Sequence, residues 1–313
     1  MLELSYNLSI YLQSTINKIH NKRTEILLFP LPVKTELKIQ FDATLTRIEK
    51  GLSLDGVEVR RSEIIHTLSR QKDTFTKVQQ RILGYKQAMD YIHQHWLASG
   101  EIFDILMFDR LSHIASREKL KISEAETNRI LNYLQAASDS PIVQAAIAKL
   151  VLMNLLETRS NRETISTLCS YLYLYKAGLN MRGLLMLEKI WSDQKENYLF
   201  KYNEALKNNN LTSWLEYFAG ALEEQLAEIH DELKKSSKLL IVKDQSPSFS
   251  ELNDRQIAIL RMLDNPQAIL TNKIVQRAFR VSQITSSRDL SKLATLGLLF
   301  VHGKGRSVRY TKA

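Results

Sequence analysis

Apolar residues along this 313-residue chain recur mostly at spacings of three and four, the rhythm of helices that bury one face. Residues 1–22 carry that rhythm, and it resumes over 36–50, 54–68 and 78–96. Between the first two, Pro30 and Pro32 in TEILLFPLPVK predict an extended crossing segment, because proline removes a backbone donor and biases the residue before it away from helix. Short connections are expected after Gly51 and Gly100. Further helices are predicted over 102–115, 123–137, 141–156, 161–177, 181–194, 196–207 and 212–235. Ser140 reads as a cap with Pro141 at the first helical position. Ser213 and Glu216 read as a capping box, and Gly178 as a left-handed stop. The run 141–156 is broken by Gln144 and Lys149. It is too short to span a bilayer and reads as a buried helix.

Periodicity fades in KSSKLLIVKDQSPSFS, which marks a linker over 236–251, and returns in a different form after it. Asn253 can cap a helix burying Ile257, Leu260 and Leu263. Thr271 can start a second, with Ile274, Val275 and Ala278 apolar. A tight turn at Arg280-Val281 leads to a third, capped by Ser282, with Ser286, Leu290 and Leu293 inward and Gly297 at its end. The alternating runs LLFVH and SVRYT flank Gly303-Lys304-Gly305-Arg306, a hairpin signal. Three helices and a basic hairpin describe a winged helix-turn-helix, and VSQITSSRDLSKLATLGLL with GKGRSVRY resembles that family. In such a module the third helix lies in the major groove with its first side chains at base edges. Gln283, Ile284, Ser287 and Arg288 are the outward positions there: Gln suits adenine, Arg suits guanine, and Ile suits a thymine methyl. Lys292, Lys304, Arg306 and Arg309 would serve phosphates.

Charge sharpens this reading. Residues 252–313 hold eleven Lys/Arg against three Asp/Glu, a balance of +8, while the preceding 251 residues are nearly neutral at +1. Such asymmetry points to a polyanion partner. The single cysteine, Cys169, allows no intrachain disulfide and reads as core; a reducing compartment, the cytoplasm, fits. MLELSYNLSI has no basic start followed by an apolar run, so no signal peptide is expected. His93-x-His95 on a helix points two ways and makes a poor metal pair. Tyr171, Tyr173 and Tyr175 are expected to divide between core and surface. No Walker loop or dinucleotide fingerprint occurs.

The middle of the chain carries a resemblance of its own. SPIVQAAIAKLVLMNLL, LYLYKAGLNMRGLLMLEKIWSDQKENYLFKYNEAL and LTSWLEYFAGALEEQL, in that order, resemble the Fic (filamentation-induced-by-cAMP) fold over about 102–235. TLTRIEKGLSLDGVEV, residues 44–59, resembles that family's inhibitory helix. Active members transfer AMP from ATP to a protein hydroxyl and carry His-Pro-Phe-x-Asp-Gly-Asn-Gly-Arg-x-x-Arg between two helices. Aligned without a gap, that motif falls on residues 156–167. Leu156 stands at the general base, and leucine accepts no proton. Ser160 stands at the magnesium carboxylate. Asn161 and Glu163 stand at the glycines, with Arg162 between them. Thr164 and Thr167 stand at the arginines, so the clamp on phosphate charge is gone. Ser160 and Glu163 instead fit a capping box that would fill the old anion site from within. Only a stub, 117–122, remains where the family has a target-binding flap. Glu49 stands at the inhibitory glutamate, with Leu45 and Lys50 where the family has Ser/Thr and Gly/Asn; a structural pairing with Arg159 or Arg162 is expected of it.

The expected fold is therefore mainly α, a Fic-like helical domain followed by a winged helix-turn-helix. The expected parts are an N-terminal helical region (1–100), the Fic-like domain (101–235), a linker (236–251) and the DNA-binding module (252–313). The expected role is DNA-binding and transcriptional regulation, with a catalytically inactive Fic-like domain as scaffold or sensor. The alternative is protein adenylylation, or another nucleotidyl transfer, through a divergent site. Double-stranded DNA is the expected partner, with a protein or small effector at the Fic-like domain and a homodimer suited to a two-fold DNA site. No catalytic residue, metal, cofactor or membrane contact is expected.

Overall fold

Ser140 accepts the Ile142 amide at 3.3 Å and starts a helix in which nearly every side chain is buried, because its sequence is apolar on all sides. The computed structural model describes residues 5–69, 74–101, 103, 105–117, 125, 128, 132, 140–156, 160–239, 252–263, 268–296, 298–303 and 308–312. The expected helix over 123–137 and the flap stub beyond Arg117 lie outside the described residues, apart from isolated positions. We number the helices α1 (Ile10–Leu28), α2 (Val33–Leu54), α3 (Arg61–Ser69), α4 (Lys77–Trp96), α5 (Ile105–Ser116), α6 (Pro141–Leu155), α7 (Arg162–Lys176), α8 (Leu187–Asp193), α9 (Lys195–Asn208), α10 (Thr212–Leu239), α11 (Asp254–Met262), α12 (Asn272–Phe279) and α13 (Gln283–Thr295).

Helices α6 and α7 pack against each other at the centre, and α7 is buried from Glu163 to Tyr175. Around them α1 lies along α10, α2 packs on α8, and α4 packs on α5 and α7. One hydrophobic cluster draws on all of these, from Leu12 and Ile19 to Leu226 and Leu233. Two glycines set the close approaches. A Cβ on Gly84 would lie 2.2 Å from the Ala115 carbonyl oxygen, so α4 and α5 touch backbone to backbone there. A Cβ on Gly51 would lie 2.6 Å from the Tyr85 ring. Gly51 therefore admits Tyr85 within a continuous helix rather than ending it, as the sequence had suggested.

Other boundaries also moved. The prolines extend only the crossing around Phe29–Pro32, and α1 runs on through Thr24–Leu28. Residues 54–68 are not one helix: α2 ends at Leu54 and α3 starts at Arg61. The expected helix 181–194 is divided by a left-handed turn, with φ of 48°, 59° and 80° at Met181, Arg182 and Gly183, before α8 begins. Ser213 and Glu216 form no capping box. The Glu216 carboxylate instead accepts the Ser9 hydroxyl at 2.5 Å, tying the α1 cap to α10.

The C-terminal residues form a second, smaller core. Asn253 and Gln256 make a reciprocal capping box on α11, Thr271 caps α12, and Ser282 caps α13, each as the sequence predicts. Strands β1 (Leu299–His302) and β2 (Arg309–Lys312) pair antiparallel, Leu299 opposite Lys312 and His302 opposite Arg309. Leu270 adds a bridge to Tyr310 on the other side of β2. Ile259, Leu260, Val275, Leu290 and Leu293 fill the interior. Leu37 of α2 is buried in this same cluster, and Phe41 packs against both cores. Among the described residues no helix is long and apolar enough to cross a membrane.

Candidate functional site

The turn after α2 builds the first feature of the site. Gly56, at φ 76°, lets its amide reach Ser53 O and the Val57 amide reach Leu52 O, both at 2.9 Å, closing the helix end. That turn aims Asp55 at the start of α7. Its Oδ1 accepts the Glu163 amide at 3.0 Å; its Oδ2 accepts the Thr164 hydroxyl at 2.6 Å and the Thr164 amide at 3.3 Å. Arg81 Nη2 donates to the same oxygen at 2.7 Å. A buried carboxylate from another helix thus meets unpaired amides at the positive end of α7. Burial pushes the Asp55 pKa up, against the pull of Thr164, Arg81 and the Glu163 amide.

The expected cap at Ser160 is therefore corrected. Ser160 is exposed, Asn161 makes no side-chain cap, and Glu163 turns inward. Its carboxylate accepts Lys149 Nζ at 2.7 Å and the Tyr198 hydroxyl at 2.6 Å. Lys149 is fully buried and also reaches Ser166 and Thr167, each at 2.9 Å, and it lies 5.0 Å from the centre of the Trp191 ring. Hydrogen bonds thus satisfy a charge in the middle of an apolar helix. Burial, and then Glu163, drive the Tyr198 pKa well above its ordinary value.

A second buried polar layer lies beside the first. Glu188 accepts the hydroxyls of Tyr171, at 2.5 Å, and Tyr85. Burial raises its pKa against the pull of both hydroxyls and of Arg47. Tyr171, Tyr173 and Tyr175 are all buried, so the expected division between core and surface does not occur. Glu49 pairs with Arg61 at 3.3 Å rather than with Arg162; Arg159 lies outside the described residues. Cys169 is buried, and burial raises its thiol pKa.

No family model and no curated protein matches the chain. Among solved structures it is similar to a Fic family protein from Desulfovibrio desulfuricans G20, with a TM-score of 0.58 and 13% identity over 99% of this chain and 98% of that one. The fold is Fic-like. Leu156 is buried at the end of α6 with no group to exchange a proton, and Thr167 bonds Lys149. The α7 amides of Glu163 and Thr164 already hold Asp55. Among the described residues no cluster of three or more His, Cys, Asp or Glu could hold a metal.

In the C-terminal module, Gln283, Ile284 and Arg288 are exposed on the first turns of α13, while Ser286, Leu290 and Leu293 are buried. Ser287 is half-buried and accepts Asn272 Nδ2 at 2.6 Å, which ties α13 to α12. Lys292 is half-buried and Arg309 exposed; Lys304 and Arg306 lie outside the described residues. Sequence reasoning missed Asp55, Arg81, Arg47 and Asp289. Asp289 is buried and accepts Arg255 Nε at 2.6 Å and Gln256 Nε2 at 2.7 Å, joining α11 to α13. The signal for Lys149 was present, since a lone lysine in a helix apolar on all sides needs a partner.

Proposed function

We propose that this chain is a cytoplasmic DNA-binding regulator in which a Fic-like domain without adenylyl-transfer activity serves as scaffold. The observation that carries the reading is the division of α13. One face closes the small core, and the first turns of the other expose Gln283, Ile284 and Arg288 on a module whose balance is +8. Three helices followed by a hairpin, with Arg309 exposed on it, fit a winged helix that inserts α13 in a major groove and lays basic groups along phosphates. Asp55 in the helix-terminal amides, and Leu156 where a base would stand, support a domain kept for its shape.

Two measurements test this. Fluorescence anisotropy with random duplexes at low salt should report binding that weakens steeply as salt rises; no binding to any duplex removes the DNA reading. Labelled ATP with magnesium or manganese should leave the protein unlabelled; time-dependent covalent label would restore the adenylylation alternative.

A further inference from the structure

A cavity of about 140 Å³, lined by polar and apolar side chains alike, lies where the two cores meet. Arg47, Lys86, Asp90 and His93 line it from α2 and α4, Arg182 from the left-handed turn, and Ala268 and Thr311 from the C-terminal module. We propose that this cavity binds a small polar metabolite carrying a carboxylate or phosphate, and that the ligand bridges the Fic-like core and the C-terminal module.

Three observations support it. The first is charge. Arg47, Lys86 and Arg182 bring three cationic side chains to the cavity; Lys86 pairs with Asp90, the one carboxylate among the described lining residues, and Arg182 with Glu36, which leaves the Arg47 charge without such a pairing. The second is the state of Arg47. Its side chain is buried, yet among the described residues its hydrogen bonds go only to uncharged oxygens: Tyr175 OH at 3.1 Å, Gly183 O at 3.1 Å and Thr44 Oγ1 at 3.5 Å. The nearby Glu188 is held by Tyr85 and Tyr171 instead. A buried guanidinium without a carboxylate in contact is costly, and an anionic ligand would offset that with planar, paired hydrogen bonds. The third is the backbone. Met181 and Arg182 are non-glycine residues with φ of 48° and 59°, a left-handed conformation that side chains beyond glycine rarely adopt. Glu36 and the Phe29 carbonyl hold Arg182 in place at 2.7 and 2.6 Å. The strained turn thereby brings the Gly183 carbonyl onto Arg47 and places Arg182 along the same cavity.

The position gives the ligand something to act on. Thr311 belongs to β2 and hydrogen-bonds His302 of β1 at 2.9 Å, so an occupant touching Thr311 touches the hairpin. Binding there would change how the hairpin sits on α4; this consequence rests on the DNA-binding reading, whereas the site itself does not.

Calorimetry on the full chain, with inorganic phosphate, pyrophosphate, malonate and succinate as separate probes, tests the site and tells phosphate from carboxylate chemistry. At least one probe should bind at one per chain. Arg47→Gln should weaken it about tenfold or more, and Asp90→Asn should tighten it. Ala268→Phe should block it while leaving every charge in place, so the test stands even where Arg47→Gln fails to fold. A folded wild type that takes up none of the probes overturns the proposal, as does binding that Ala268→Phe leaves intact. A wild type that binds a probe but no duplex keeps the site and removes the DNA reading alone.

Discussion

The Thr164 hydroxyl donates to Asp55 Oδ2 at 2.6 Å across 109 positions of sequence. Through this bond the end of α2 closes the start of α7, and a side chain from outside the helix does what a local cap does elsewhere. The Asp55 side chain is 1% exposed and also receives two amides and Arg81. Asp55→Ala leaves the Thr164 hydroxyl and the Glu163 and Thr164 amides without this acceptor and should cost about 2–4 kcal/mol. Asp55→Asn keeps one acceptor oxygen and should cost less. Urea unfolding followed by far-UV circular dichroism measures both.

Lys149 and Glu163 form the buried pair behind that cap. Lys149→Met alone strands a carboxylate and should destabilise by about 3–5 kcal/mol. Adding Glu163→Gln removes the stranded charge, so the double variant should be more stable than Lys149→Met alone. A double-mutant cycle measured by chemical unfolding reads this directly.

On DNA, Arg288 and Arg309 should behave differently. Under the proposed docking of α13, Arg288→Ala should flatten sequence preference. Arg309→Ala should weaken all duplexes alike and lower the salt slope by about 1. Lys304→Glu with Arg306→Glu should weaken binding most at low salt. Anisotropy titrations over a salt series separate these outcomes.

His302 gives the hairpin a pH response. Burial, with Arg309 beside it, holds its pKa below the ordinary 6.5, against the pull of Asp90. A lowered histidine contributes stability that is complete above 6.5 and is lost as pH falls through the folded value, because the unfolded chain takes up the proton first. Wild type should therefore lose more thermal stability between about pH 7.5 and 5 than His302→Gln does. Melting curves at both pH values check it.

The helices with strong apolar rhythm and an adjacent cap were legible in the sequence. Ser140-Pro141, Asn253 with Gln256, Thr271 and Ser282 all act through neighbours a few residues away. The polar pairings of the site were not. Ser160-x-x-Glu163 fits a capping box, yet Glu163 gains more from Lys149 and Tyr198 inside, and Asp55 satisfies the amides instead. Gly51 reads as a break until Tyr85 is seen against it. Ser287 reads as an outward position, and the tie its hydroxyl makes by accepting from Asn272 of the neighbouring helix was not legible. Each of these depends on a residue distant in sequence, where local propensity yields to packing.

Helix α2 places Leu37 in one hydrophobic interior and Leu45 and Ile48 in the other, with Phe41 shared. A chain cut just before Leu252 would therefore not yield two finished proteins. The C-terminal fragment would show solvent the apolar seat of Leu37, and the remainder would carry an uncovered leucine on its longest early helix. Any tilt of that one rod is felt on both sides at once, so the two halves share a lever rather than a tether.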